Sequence, residues 1–345
     1  MTSLSDIARS GRVFIIAEAG VNHNGDPTLA ERLIDVAAQA EADAVKFQTF
    51  NARRLVSRQA TKAVYQLETT DKTQSQLEML EQLELPLDAY PRLQQRASDA
   101  GLVFLSSPFE EDAVDFLDDL RVPAFKIPSG EITNLQFLAH VGTKHKPVLL
   151  STGMSTMAEV EDAVKALRST GAGEIILLQC TSNYPADPRF INLQAMLTMK
   201  EHFGLSVGFS DHTEGIEVAL AAVALGAVVI EKHFTLDRKL PGPDHQASLE
   251  PRELQALVRG IRKVESALGS GKKEMAATEK DVARVARRSI VALGRIPQGT
   301  VIDRSMLAIM RPGNGLPPKM IAAVVGRTAK VDISEGTLLT MEMLQ

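Results

Sequence analysis

Eight short apolar runs, most of them separated by a stretch of helical periodicity, are the feature that most limits how this chain can fold. They cover residues 13–17, 44–48, 102–106, 124–127, 148–151, 175–179, 206–209 and 228–231. Runs that are apolar throughout, rather than alternating, read as strands covered on both faces. Between them lie helical signals. Asp26 is placed as an N-cap with Pro27 at the first helical position, and Leu29, Leu33 and Val36 then share a face. Further helices are expected over 87–100, 110–119, 157–169, 190–202, 214–225 and 251–268. Such strand–helix units predict an α/β fold, a (β/α)8 TIM barrel over residues 1–270. An open doubly wound sheet is the alternative.

The longest apolar run, 218–230, lies between Glu217 and Glu231 and is split by Gly226. It is too short to span ~30 Å of hydrocarbon and reads as a helix that stops at the glycine, followed by a strand. The apolar stretch near the N-terminus runs directly into Glu18, unlike a signal peptide. A net charge of −5 argues against a generic nucleic-acid binder, and the single cysteine, Cys180, rules out an intrachain disulfide. A cytoplasmic protein with neither membrane nor nucleic-acid partners is the expectation.

After Gly269-Ser-Gly-Lys-Lys273 the texture changes. Residues 271–284 read as a linker and 285–345 as a small β-rich domain. Within the latter, Ile296-x-x-Gly-Thr-x-Ile-x-x-x-Met-Leu307 and Ile333-x-x-Gly-Thr-x-Leu-x-x-x-Met-Leu344 repeat one frame. An internal repeat of this kind implies pseudo-symmetry.

In a parallel barrel, functional groups gather at the C-terminal ends of the strands. Here nearly every strand ends in polar residues. The first ends in Glu18. Lys46 and Gln48 share one face of the second, since side chains alternate along a strand. Ser107 follows the third, Lys126, Ser129 and Glu131 the fourth, and Ser151 the fifth. Ser182 and Tyr184 follow the sixth, Ser210 and His212 the seventh, and Glu231 and His233 end the eighth. Any one serine could be a helix cap. Lysines and glutamates together at a dry barrel mouth are costly unless they pair or bind something. Lys126, Ser129, Ser151 and Ser210, beside glycine-bearing loops, suit a phosphate or carboxylate. His212 and His233 end consecutive strands, and with nearby carboxylates they suit a divalent metal such as Mn²⁺ or Zn²⁺. The alternative is a hydrogen-bonded pair of polar histidines. Asp244 could orient a ligand near them.

Several stretches resemble the sialic acid synthases, the family of N-acetylneuraminate synthase and its bacterial relatives for legionaminic and pseudaminic acids. They include Ile-Ala-Glu18-Ala-Gly-Val-Asn-His-Asn-Gly25, Ala-Val-Lys46-Phe-Gln48, Ser-Gln-Leu-Glu-Met79, Lys126-Ile-Pro-Ser129-Gly-Glu131, Cys180-Thr-Ser-Asn-Tyr184-Pro, Ser-Asp-His212-Thr, Glu231-Lys-His233-Phe-Thr, Gly-Pro-Asp244-His and Arg311-Pro-Gly-Asn-Gly-Leu. The resemblance implies a barrel joined to an antifreeze-like (SAF) domain in a domain-swapped homodimer. It implies condensation of phosphoenolpyruvate with an open-chain N-acyl-hexosamine, aided by a divalent metal, typically Mn²⁺. The sugar is expected to be N-acetylmannosamine, giving N-acetylneuraminate. The alternative is 2,4-diacetamido-2,4,6-trideoxymannose, giving a legionaminic acid.

By the same resemblance, His212 and His233 hold the metal, and Glu131 is the base. Glu18 and Lys46 belong to the catalytic set. Lys126, Ser129, Ser151 and Ser210 hold phosphoenolpyruvate, Lys46 meets its charge or the sugar, and Ser107, Ser182 and Glu231 complete the substrate-binding set. Glu18, Gln48, Tyr184 and Asp244 bind sugar hydroxyls, and Arg311 of the partner subunit reaches its N-acyl group. The chain carries Ser182 where N-acetylneuraminate synthases can carry asparagine, with Asn183 next, so which of the two meets phosphate stays open. Two competing readings are a Schiff-base aldolase using Lys126 or Lys46 and a non-catalytic sugar-binding protein.

Overall fold

In a computed structural model, which describes residues 11–345, eight parallel strands form one sheet in the order β3-β2-β1-β8-β7-β6-β5-β4. They are β1 (Phe14–Gly20), β2 (Ala44–Thr49), β3 (Val103–Pro108), β4 (Phe125–Ile127), β5 (Val148–Ser151), β6 (Ile175–Cys180), β7 (Ser206–Asp211) and β8 (Val229–His233). Parallel ladders join seven neighbouring pairs, and β3 lies beside the three-residue β4 without one. The result is a TIM-like (β/α)8 barrel with its seam at β3/β4.

Helices follow the strands as their sequence signals require. α1 (Pro27–Gln39) begins at Asp26, whose side chain accepts from Thr28 N, with Pro27 in its first turn. Its fully buried face is Ala30, Leu33, Ile34 and Ala37, so Leu29 and Val36 flank that face rather than centre it. Between β2 and β3 the chain makes an excursion through α2 (Ala52–Leu55), α3 (Val64–Thr69) and α4 (Gln76–Glu81) before α5 (Tyr90–Asp99). Then come α6 (Glu111–Asp119), α7 (Leu135–Gly142), α8 (Met157–Ser169), α9 (Gln194–Phe203), α10 (Glu217–Ala224) and α11 (Pro251–Leu268). α10 stops just before Gly226, at φ +95°, and β8 follows. Helix α7 and the excursion helices were not expected from sequence. Among the described residues no helix is long and apolar enough to cross a membrane.

Strand alternation sorts the core into two layers. Outward side chains such as Val45, Phe47, Leu150, Val207 and Ile230 join the helices in one large apolar cluster. Inward ones, Phe14, Ile16, Ala44, Leu105, Ala124, Leu149, Ile176, Leu178 and Val229, fill the lower barrel. Space there is short at Gly208 on β7. A Cβ at that position would stand 2.6 Å from Val229 O and 2.7 Å from Leu178 Cδ2.

The compact units are 1–269 and 270–345. In the second, β9 (Ser289–Ala292) pairs antiparallel with β10 (Leu307–Met310). The repeated frames pair through their first residues, Ile296 and Ile333, which exchange backbone hydrogen bonds of 2.8 and 2.9 Å. Each frame then turns at a glycine of positive φ, Gly299 at +83° and Gly336 at +77°. Each buries a residue three further on, Ile302 or Leu339, and ends on a buried leucine, Leu307 or Leu344. Part of the expected linker is helical instead: α12 (Lys280–Ala286) belongs to this unit, and Arg284 O accepts from Gly313 N at 2.7 Å.

Gly208→Ala should destabilise the barrel by about 1–3 kcal/mol, because the added methyl meets backbone that cannot yield. All three tyrosines, Tyr65, Tyr90 and Tyr184, lie in the first unit, so urea denaturation followed by tyrosine fluorescence reads the change. An unaltered midpoint would mean that the interior has slack at this level.

Candidate active site at the barrel mouth

Above the apolar layer the same inward faces turn polar. Glu18 sits two residues above Ile16, Lys46 above Ala44, Ser107 above Leu105 and Lys126 above Ala124. Cys180 follows Leu178, Ser210 follows Gly208, and Glu231 follows Val229. Ladder register aligns them: Glu18 pairs with Lys46 and with His233, and Ser210 with Glu231. The side chains line one cavity of about 360 Å³.

Its floor is a chain of alternating charges. Lys46 Nζ lies 2.6 Å from Glu18 Oε2 and 3.7 Å from Glu231 Oε2, and it donates to Ser107 Oγ at 3.0 Å. Lys126 Nζ lies 3.1 Å from Glu231 Oε1, which also accepts from Ser210 Oγ at 2.8 Å. The two carboxyls respond oppositely. Burial pushes Glu18 up to about 7: Lys46 opposes the shift, and the like charge of Glu231 adds to it. Burial acts on Glu231 as well, but Lys126, Lys46 and the serine hydroxyl outweigh it and hold the carboxylate at about 2. Burial likewise works against the Lys126 charge, and Glu231 and Glu18 overcome it, raising its pKa.

Two histidines stand over this floor, their ring centroids 5.3 Å apart. His212 Nδ1 is 2.7 Å from the Thr181 carbonyl oxygen, so it donates there and leaves Nε2 free. His233 is driven well below the usual imidazole range, by burial first and then by His212, and it stays neutral. Its buried Nδ1 has no hydrogen-bond partner and lies 3.9 Å from Asp244 Oδ2. Tyr184 packs on His212 at 4.1 Å between centroids and meets His233 edge-on at 5.4 Å. Among the described residues no group of three His, Cys, Asp or Glu side chains is arranged to hold a metal ion. Burial works against a charge on His212, but Cys180 and the Thr181 carbonyl outweigh it and raise its pKa, so only His233 is held neutral. Once His212 gives up its Nε2 proton, the two imidazoles fit a divalent cation that takes its other donors from substrate and water.

Of the residues singled out from sequence, Glu18, Lys46, Gln48, Ser107, Lys126, Ser129, Ser182, Tyr184, Ser210, His212, Glu231, His233 and Asp244 all line the cavity. Ser182 faces in while its neighbour Asn183 is exposed. Gly153 N donates to Ser129 Oγ at 2.9 Å, and a Cβ on Gly153 would collide with both Ser129 and Ser182. Three residues stand elsewhere. The ladder sets Ser151 level with Leu178 and Gly208, one step below the Cys180–Ser210 level, with its hydroxyl buried and unpartnered. Glu131 accepts from Asn134 Nδ2 at 3.0 Å, one residue beyond the lining Gly130. Arg311 belongs to the second unit, where its Nε donates to Ala286 O.

Sequence reasoning missed the excursion, which adds Tyr65, Gln66, Gln76, Met79 and Leu80 to the lining. A signal existed: Ser75-x-x-Glu78 is a capping box, and it opens α4. It also missed an outward pair. Lys232 Nζ donates to Asp211 Oδ2 at 2.8 Å, both fully buried behind the histidines that follow each of them.

Profile comparison matches the NeuB family over residues 33–273 and the SAF domain over 287–345. The chain belongs to the NeuB family. The N,N'-diacetyllegionaminic acid synthase of Campylobacter jejuni is 46% identical to it over 330 residues, covering 95% of this chain and 99% of that one. The enzyme of the same name from Legionella pneumophila is 45% identical over 336 residues, 96% and 94% of the two chains. The crystal structure of N-acetylneuraminic acid (sialic acid) synthetase from Leptospira borgpetersenii, in complex with citrate, superposes with a TM-score of 0.71 at 36% identity. It covers 79% of this chain and 90% of that one.

Lys232→Met would leave the Asp211 carboxylate buried without its partner and should destabilise the barrel by about 3–5 kcal/mol. Adding Asp211→Asn to that variant should restore part of the loss in urea denaturation. A double variant no more stable than the single one would show that the pair is not coupled.

Proposed function

We propose that this chain is a phosphoenolpyruvate-dependent nonulosonic acid synthase whose sugar is 2,4-diacetamido-2,4,6-trideoxymannose, with N,N'-diacetyllegionaminic acid and inorganic phosphate as products. The observation that carries the reading is the buried Glu18–Lys46–Glu231–Lys126 chain beneath two facing imidazoles. The higher identity to two legionaminic acid synthases favours this sugar over N-acetylmannosamine, the one first expected from sequence.

With Glu231 ionised and Glu18 carrying its proton, two ammonium groups face one carboxylate, and the floor has positive charge to spare for an enol-ester anion. Lys126 supplies a charge-assisted donor there, and Ser129 and Ser182 supply hydroxyls, while Ser210 donates its own to Glu231. The sugar lies on the Gln48, Tyr184 and Asp244 side. Such placement holds C3 of phosphoenolpyruvate against the aldehyde carbon, which converts an encounter into a near-unimolecular step. A divalent metal held by His212 and His233, Mn²⁺ in this reading, would supply Lewis-acid polarisation of the aldehyde.

As the C3–C1 bond forms, the aldehyde oxygen takes a proton and C2 becomes electron-deficient. Glu18, with its pKa near 7, is suited to give that proton. Water adds at C2 and gives its proton back to Glu18, which lines the cavity and is by then a carboxylate, whereas Glu131, the base expected from sequence, lies one residue beyond the lining Gly130. The C2–O bond to phosphate then breaks as the new hydroxyl at C2 passes its proton to the departing phosphate, which keeps the bridging oxygen, and the ketone remains. Arg311 of a domain-swapped partner subunit would bind the N-acyl group.

Purified protein with Mn²⁺ should release phosphate from phosphoenolpyruvate when given the diacetamido sugar, and chelation should abolish the release. Activity that survives chelation, together with a borohydride-trapped pyruvate imine, would instead establish the Schiff-base aldolase. Arg311→Ala should raise KM for the sugar about tenfold, the effect of losing one charged hydrogen bond, and leave KM for phosphoenolpyruvate near its original value. Unchanged sugar kinetics would remove Arg311 from the site.

A further inference from the structure

The cavity has two unlike walls. Its barrel side is made of charged and hydroxyl groups. Its other side comes from the β2–β3 excursion and the residues it packs on, and is largely apolar. Val21, Met79 and Leu83 form a small buried cluster of their own, with Leu80 and Phe50 packed against it. Val21, Met79, Leu80 and Leu83 also line the cavity, as does Phe109, which meets Phe50 edge-on at 5.9 Å. Tyr65, on α3, stacks at 5.2 Å on Tyr184 and extends the aromatic face that begins at His212. The polar groups that the excursion helices bring to the lining include two side-chain amides, Gln66 and Gln76.

Phosphoenolpyruvate is a small anion with nothing for such a wall to hold. Resting on the reading above, we infer that the excursion wall of Tyr65, Met79, Leu80 and Leu83 is the specificity-determining element. It takes the 4-acetamido group and the C6 methyl of the sugar. N-acetylmannosamine carries hydroxyls at both positions. Pressed against Met79 and Leu80, a hydroxyl gives up water without finding a partner, whereas a methyl gains from burial. The amides Gln66 and Gln76 match the polar part of an acetamido group, one donor and one acceptor.

Leu80→Ser and Tyr65→Ala alter the wall from separate helices, so either reports if the other fails to fold. Each should lower kcat/KM for 2,4-diacetamido-2,4,6-trideoxymannose about tenfold or more, the scale of one lost apolar contact in a pocket. The N-acetylmannosamine value should move far less, and KM for phosphoenolpyruvate should hold, which shows that the charged floor is intact. An unchanged ratio between the two sugars in both variants overturns the inference. So does an equal loss for both sugars with a raised KM for phosphoenolpyruvate, which would make the wall scaffold only. Wild-type protein that releases no phosphate with the diacetamido sugar overturns the functional reading itself, and that outcome is visible before any variant is made.

Discussion

Four alternating buried charges at the top of the barrel are the constraint around which the rest is arranged. Removing an ion from water is penalised by several kcal/mol, and a buried ion pair seldom regains all of it. A chain of this length has stable apolar alternatives at those positions, as its own lower layer shows with Ile16, Ala44, Ala124 and Val229. Keeping Glu18, Lys46, Lys126 and Glu231 there is therefore a sacrifice of stability for a charged floor. Geometry decides how the sacrifice is shared. Glu231 stands between two lysines and under a serine hydroxyl and stays ionised, while Glu18 has one lysine close by and drifts toward neutrality.

That floor depends on register. Parallel ladders set Glu18 level with Lys46 and His233, and Ser210 level with Glu231. A slip of one residue would turn each inward group out among the helices. The outward neighbours of the site guard against it. Lys232 and Asp211 pair behind the two histidines, and Thr49 and Ser106 hydroxyls meet at 2.7 Å behind Gln48 and Ser107. Gln179, one residue before the lining Cys180, also points outward and donates to Ile191 O.

The second unit solves a different problem. A short β-rich segment has little area to bury, and repeating one frame gives it two matched halves. Ile296 and Ile333 join those halves, while Ile302, Leu339, Leu307 and Leu344 contribute to a common core.

Much of this was legible in the sequence, because period and chemistry are local. Apolar runs marked all eight strands, Asp26-Pro27 marked a helix start, Gly226 a helix stop, and the twelve-residue frame marked the repeat. Polar residues two apart on a strand must share a face, so Lys46 with Gln48, and Glu231 with His233, could be assigned to the mouth without coordinates. Distance along the chain hid the rest. That Ser151 stops one step short of the cavity follows from strand register, a property of pairs of strands. That Met79 and Leu80 line the same cavity as Lys126 depends on how a loop of three short helices folds back, which its own periodicity does not record. Whether a carboxyl is charged depends on the total field at its position. The amino acids determined which groups stand at the ends of the strands, and only the closed barrel decided that Glu18 and Glu231 would hold their protons so differently.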